Sequence, residues 1–124
     1  MADNKDYVIR PEEKGSINIS EEVIAIIAAT AALETEGVSS LNASLGKDIA
    51  ELLGKKSLSK GVKVTSEEDG NNIDVYIHTK LGTSVNKIGC LVQENVLTAV
   101  ESMTGIKVLL VNVHVCGVSL DRAK

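Results

Sequence analysis

The chain has 124 residues, of which 44% are hydrophobic and 24% are charged, a composition that excludes a disordered chain and predicts one globular domain. A net charge of −4 and an aromatic content of only 2% exclude nucleic acid as an expected partner, because such binders need basic surface and stacking side chains. The longest apolar run, Val23–Leu33, is shorter than the ~20 residues that span a bilayer. With no signal-like start, these features predict a cytoplasmic protein without direct membrane insertion.

The first third of the chain predicts a leader, a strand and a helix. Residues 1–14 are polar and rich in charge, so we expect a flexible leader and ordered structure from Gly15 onward. Ser16–Ile19 alternates polar and apolar residues, which is typical of a half-buried strand. Ser20 is a suitable N-cap for a helix over residues 21–36, and Gly37 offers the left-handed conformation that closes a helix.

The middle of the chain predicts an insertion followed by a β-hairpin. Residues 38–60 form a connection in which Lys47–Leu53 has a short helical pattern, followed by a basic loop, Lys55–Lys60. Strands are then predicted on both sides of the polar turn at Glu67–Asn72, because Val62, Val64, Ile73, Val75 and Ile77 alternate with polar residues.

The last third predicts a second helix and a final strand. Thr83 or Ser84 can cap the helix, and Gly105 ends it. Its apolar residues recur every three or four positions, which indicates one buried stripe: Val85, Ile88, Val92, Val96, Ala99 and Met103. The final strand is predicted over Lys107–Val118.

This order of elements predicts an α+β fold, a two-layer sandwich with the split βαβ (ferredoxin-like) arrangement. Two main helices should cover one face of a four-stranded sheet, with the short helix inserted. The domain is expected over residues 15–120, with a tail at 121–124. In this strand order, the strand at Ser16–Ile19 lies between the third strand and the last strand.

The uncovered sheet face is predicted to be polar, because an antiparallel sheet of this kind has one solvated face. It should carry Asn18, Lys63, Thr65, Asp74, Tyr76, His78, Lys80, Asn112, His114 and Cys116. A metal site from His78, His114 and Cys116 is disfavoured, because the intervening strand would separate the two histidine backbones by about 10 Å. Phosphate-binding glycine loops and nucleophile constellations are missing. We therefore expect no catalytic residue, no cofactor and no metal.

The residues predicted to form an interaction surface are Tyr76, His78, Asn112 and His114, because no core requirement explains them and tyrosine is a common interface anchor. The final strand is an edge with few charges, so it can pair with another chain. A non-enzymatic interaction module is therefore the preferred reading. A small-ligand sensor or an unrecognised enzyme on the histidine face is the alternative, which a deep pocket around those residues would favour.

Four segments resemble the alkaline shock protein, or general stress protein, family of Gram-positive bacteria. They are Gly15–Ile24, Ala31–Val38, Val92–Ile106 and Val111–Val115, and the resemblance covers about residues 15–118. It implies a non-enzymatic protein of the cell-envelope stress response, located in the cytoplasm and held peripherally at the membrane by a partner. That partner is expected to be an integral membrane anchor protein. Other members of the family regulate acetyl-CoA carboxylase, so a fatty-acid synthesis enzyme is the alternative partner. From the free edge we also expect a homo-oligomer.

Overall fold

Six strands and two helices make up the part of the chain that the computed structural model describes, residues 7–42 and 61–122. In chain order they are β1 (Tyr7–Glu12), β2 (Gly15–Ser20), α1 (Glu21–Glu34), β3 (Val38–Leu41), β4 (Val62–Ser66), β5 (Asn71–Leu81), α2 (Val85–Thr104) and β6 (Val108–Arg122). The predicted inserted helix at Lys47–Leu53 and the basic loop at Lys55–Lys60 lie outside the described residues.

Strand β5 is the centre of the main sheet. Along one edge it pairs in parallel with β6, from Asn71 to Leu81. Along the other edge it pairs antiparallel with β4 through residues 71–75 and with β3 through residues 77–79. Strands β3 and β4 therefore lie end to end on one edge. The chain leaves this edge after Leu41 and returns at Gly61, where an added Cβ would lie 2.8 Å from the Leu41 Cβ.

The two helices form a single layer over this sheet, with α1 above β3 and β4 and α2 above β6. Helix α1 begins at Ser20, whose Oγ accepts a 3.0 Å bond from the Glu22 amide, and its buried side is mostly alanine. The buried side of α2 consists of Ile88, Val92, Val96 and Val100. Three of these four were predicted. Val100 occupies the last position because it keeps the four-residue spacing, whereas Met103 is exposed.

The α+β class is confirmed, but the predicted strand order is wrong, and Asn18, predicted on the open face, lies in a separate hairpin. Strand β2, which includes the predicted first strand, pairs with β1 in a separate two-stranded hairpin. Strand β6 lies beside β5 in its place. Helix α2 connects these two strands, which therefore run parallel. Ile17 lies in this hairpin and is 48% exposed.

The polar N-terminal segment contains β1, the strand that pairs with β2. Residues 7–12 were predicted as part of a flexible leader, yet they form β1, because Val8 is buried and pairs with Ile19. Val8 is part of the core and Ile19 packs against it, so both residues join the hairpin to the rest of the domain. At the other end of the chain, β6 continues to Arg122 and includes part of the predicted tail.

The two glycines predicted to close the helices do have positive φ angles. Gly105 caps α2 with φ 75°, and Gly37 has φ 100° shortly after α1, whose own cap is Thr35. Gly37 is also a packing requirement, because an added Cβ would lie 2.7 Å from Cγ1 of the buried Ile88. The absence of a side chain at Gly37 therefore lets the segment after α1 approach Ile88 of α2 closely.

Gly37→Ala should lower the free energy of unfolding by at least about 2 kcal/mol, since it combines a disfavoured backbone angle with a steric overlap. Gly89→Ala is the matched control. Gly89 lies inside α2 with no atom within 4 Å of an added Cβ, so this change should raise stability by up to about 1 kcal/mol. Urea unfolding measures both values, and equal effects of the two changes would contradict the helix packing described above.

Two buried threonines differ in their hydrogen bonding. Thr35 Oγ1 donates to the Ala31 carbonyl at 2.9 Å and accepts a 2.9 Å bond from Asn95 Nδ2, which links the two helices. Thr79 Oγ1 has no hydrogen-bond partner within the described part of the chain. A buried hydroxyl without a partner is destabilising relative to a methyl group of the same shape.

We therefore expect Thr79→Val to raise the free energy of unfolding by about 1 kcal/mol, and Thr35→Val to lower it by about 1–2 kcal/mol. The two substitutions are chemically identical, so hydrogen bonding is the difference that the pair measures. Thermal or urea unfolding measures the change in the free energy of unfolding for both variants. A loss of stability in Thr79→Val as large as that in Thr35→Val would show that the Thr79 hydroxyl has a partner.

Candidate functional site

The open face of the main sheet arises from the two-residue period of β5. Its odd-numbered residues, from Asn71 to Thr79, are buried beneath the helices, and its even-numbered residues are half-buried on the opposite face. Those even-numbered residues are Asn72, Asp74, Tyr76, His78 and Lys80. Their side chains take no part in the packing between the helices and the sheet, so the fold leaves them available for contact.

Three side chains on this face form one ordered cluster, which we call the His114 cluster: Asp74, Tyr76 and His114. The parallel register places His114 of β6 directly opposite Tyr76 of β5. The two rings stack with centroids 4.4 Å apart and planes 13° apart. The Nε2–H of His114 donates to Asp74 Oδ1 at 3.0 Å, and the side chains of His114 and Asp74 remain 44% and 21% exposed. The imidazole is thus held by two contacts while it faces solvent.

His78 lies on the same face with partners of its own. Its Nε2 donates to Asn42 Oδ1 at 2.9 Å, and its ring lies over Gly117, where an added Cβ would be 3.4 Å from the ring. A bulge in β6 separates the pairs on either side of Cys116. The Cys116 thiol is exposed and donates to the His114 carbonyl at 3.7 Å.

The predicted surface residues therefore divide into two neighbouring groups. Tyr76 and His114 are in contact, Asn112 lies opposite Asp74 in the register, and His78 is held separately by Asn42. The alternation in β5 predicted that Asp74 lies on this face. It did not predict that Asp74 is the hydrogen-bond partner of His114. The signal for that pairing is the parallel register of β5 and β6, which depends on tertiary structure.

The predicted strand between the two histidines, which was the reason for disfavouring a metal site, is wrong, because β5 and β6 are adjacent. Even so, within residues 7–42 and 61–122, no three His, Cys, Asp or Glu side chains group closely enough to hold a metal ion. Each imidazole is instead oriented by a neighbour on its own side, His114 by Asp74 and His78 by Asn42.

Two grooves formed by described residues do not include the residues of the His114 cluster. One of about 370 Å³ lies between β1 and the turns at residues 66–71 and 105–107. Another, of about 250 Å³, lies between α2 and β6, and Cys90 is part of its wall. Neither is lined by Tyr76, His78 or His114. The His114 cluster is thus an open surface and is not part of either groove.

The described helices do not include one that is both long enough and apolar enough to cross a membrane.

Comparison with known proteins links this fold to one family. The model of the alkaline shock protein 23 family, described as having a cell envelope-related function, matches residues 10–120. The chain is 36% identical over 107 residues to the uncharacterized protein YqhY of Bacillus subtilis, covering 86% of this chain and 79% of YqhY. It is also 35% identical over 106 residues to the uncharacterized protein YloU of the same organism, covering 84% and 88% respectively.

A relative outside Bacillus is similar to the same extent. An uncharacterized protein of Streptococcus pyogenes serotype M6 is 35% identical over 109 residues, covering 87% of this chain and 82% of the relative. No solved structure matches the chain at a significant level.

Proposed function

Because the chain belongs to the alkaline shock protein 23 family, whose function is related to the cell envelope, we propose that it serves the envelope as a non-enzymatic binding protein. In this proposal it acts in the envelope stress response through the open face of its sheet. The observation that carries the proposal is the His114 cluster, an ordered aromatic pair on a face that the core does not use.

The geometry of the cluster suits binding. Stacking on Tyr76 and the bond to Asp74 hold the imidazole before any partner arrives, so little conformational entropy remains to be lost on association. Tyrosine combines apolar area with a hydroxyl group and is enriched among the residues that dominate interface energies. An uncovered face of this kind can contact a flat protein surface.

An enzymatic function is less well supported by the same residues. The two grooves described above are lined by residues other than Tyr76, His78 and His114. A catalytic imidazole needs a substrate held within hydrogen-bond reach, normally in a concave site. The His114 imidazole is exposed and does not line either of the two grooves.

The partner in this proposal is a protein at the envelope. An integral membrane protein that anchors the chain peripherally at the cytoplasmic side is the first candidate. An enzyme of fatty-acid synthesis, such as acetyl-CoA carboxylase, is the alternative, since regulation of membrane lipid supply is also an envelope function. Either one would meet the chain through a protein surface.

Replacing Tyr76 and His114 together by alanine should leave the fold intact, because neither side chain is in the core. Loss of the stacked pair should lower the free energy of unfolding by no more than about 1.5 kcal/mol. Recovery of the bound partner from the native host, measured by affinity purification and quantitative mass spectrometry, should fall at least about tenfold, the equivalent of about 1.4 kcal/mol of binding free energy.

The matched control is Asn18→Ala with Ser102→Ala, which removes two exposed side chains from the hairpin and from α2. It should leave both stability and partner recovery unchanged. If the Tyr76 and His114 variant recovers as much partner as the control does, the open face is not the binding surface.

A further inference from the structure

Strand β1 has an edge that no described strand covers. It pairs with β2 on one side only. A groove of about 370 Å³ lies beside the strand, and five consecutive residues, Tyr7–Pro11, line it. Successive side chains of a strand point to opposite faces, so a wall that includes every residue is formed by the backbone edge. The free edge of β1 therefore faces this groove, which we call the β1 groove.

The position of Pro11 indicates which backbone groups point into the β1 groove. In an antiparallel pair, every second residue directs its N–H and C=O away from the partner strand. Pro11 has no N–H to donate to β2, so it suits a position of this outward kind. Ile9 precedes it by two residues and has the same orientation. The Ile9 N–H and the carbonyls of Ile9 and Pro11 are then directed to the groove.

The rest of the wall is tied together by hydrogen bonds. It consists of the turn at residues 66–71 and the segment that follows α2, residues 105–107. Asn71 donates twice to the Lys107 carbonyl, from its backbone amide and from Nδ2, each at 3.0 Å. The two segments are thus held against each other, and a groove with ordered walls loses little conformational entropy when a ligand binds.

Apolar side chains form part of the β1 groove. Val8 and Ile106 belong to the core and also line the groove. Ile9, on the same stretch of β1, is 57% exposed. A ligand with apolar side chains would remove this surface from water, which favours binding.

The lining of the β1 groove has more negative than positive charge. The residues of the turn at Glu67–Asp69 are exposed acids, and neither of the two ion pairs between described residues includes them. Two basic residues line the groove, and one of them, Arg10, already pairs with Glu12 at 2.9 Å. Among the described lining residues, three carboxylates without an ion pair thus accompany one such ammonium group, that of Lys107. This balance favours a cationic ligand.

We propose that the β1 groove binds an extended, basic segment of another protein, which adds to β1 as a third strand. Backbone hydrogen bonds to β1 supply affinity, and alternate apolar side chains of the segment pack on Val8 and Ile106. A lysine or arginine of the segment pairs with the carboxylates of Glu67–Asp69. Nucleic acids and anionic lipid surfaces fit this groove poorly, because they have the same sign of charge as its rim.

The probe for this inference is a fluorescein-labelled peptide, Lys-Val-Thr-Val-Thr-Lys, which has the length of β1, six residues. Its lysines at both ends allow either strand direction. Fluorescence anisotropy should show saturable binding to the wild-type chain. Replacing both lysines by glutamate should raise the dissociation constant at least about tenfold.

Methylated peptides test the backbone pairing separately from the charge. Two versions of the probe, methylated on alternate backbone nitrogens, cover the two possible phases of the strand. The version that loses the N–H groups facing β1 should bind at least about tenfold more weakly, whereas the other should bind like the probe. With the unmodified probe bound, the Ile9 amide should exchange with solvent at least about tenfold more slowly.

Glu67→Lys with Glu68→Lys tests the acidic rim. Both side chains are exposed, so the fold should be retained, and the affinity for the probe should fall at least about tenfold. Glu34→Lys with Glu94→Lys is the matched control, because it makes the same change in net charge on exposed parts of the helices. The control should bind the probe like the wild type.

Three results would overturn the inference. One is the absence of saturable binding, and another is equal binding by the probe and both methylated peptides. The third is an equal loss of affinity in the two lysine variants, which would show only a response to net charge. Displacement of the probe by the unlabelled chain itself would also reject a different protein as the occupant.

The β1 groove and the open face have separate outcomes, since neither Tyr76 nor His114 lines the groove. Tyr76→Ala with His114→Ala should therefore bind the probe like the wild type. Failure of the peptide to bind leaves the open-face proposal intact, and failure of the open face to bind a partner leaves the β1 groove intact.

Discussion

Strand β5 forms hydrogen bonds with three other strands, and the regular alternation of its side chains determines where everything else lies. Ile73, Val75 and Ile77 are completely buried beneath the helices, whereas Asp74, Tyr76 and His78 emerge on the other face. Because successive residues of a strand point to opposite sides, a shift of one residue in its register would exchange the two sets. The same alternation therefore defines both the core and the candidate binding surface.

The helix layer depends on small side chains that permit close approach. The buried side of α1 is mostly alanine, Gly37 leaves room for Ile88, and the Asn95 amide of α2 donates to the Thr35 hydroxyl after the last turn of α1. These contacts fix α1 against α2 without aromatic side chains, of which the chain has only two. A layer held in this way tolerates little change in volume, which is why substitutions at Gly37 and Thr35 are informative.

Local sequence patterns predicted the elements well and their pairing less well. Alternation in β5, the cap at Ser20 and the positive φ angles of Gly37 and Gly105 all follow from chemistry within a few residues. The membership of the sheet depends on competition between distant segments. Val8 and Ile19 hold β2 in the hairpin, and β6 takes the place beside β5. No local pattern shows which distant strands pair. The sequence therefore predicted that Tyr76 and His114 share a face, but not that their rings are in contact.

In our proposal, one face of β5 serves folding and the other serves binding, and an alanine scan of β5 from Ile73 to His78 can separate the two roles. Each variant would be measured twice, by urea unfolding and by recovery of the bound partner from the native host. We expect alanine at Ile73, Val75 or Ile77 to lower the free energy of unfolding by about 2–5 kcal/mol. Alanine at Asp74, Tyr76 or His78 should lower it by no more than about 1.5 kcal/mol, with the loss of partner concentrated at Asp74 and Tyr76. If alanine at the half-buried positions were as destabilising as at the buried ones, or if all of these variants recovered the full amount of partner, the two faces would not have separate roles.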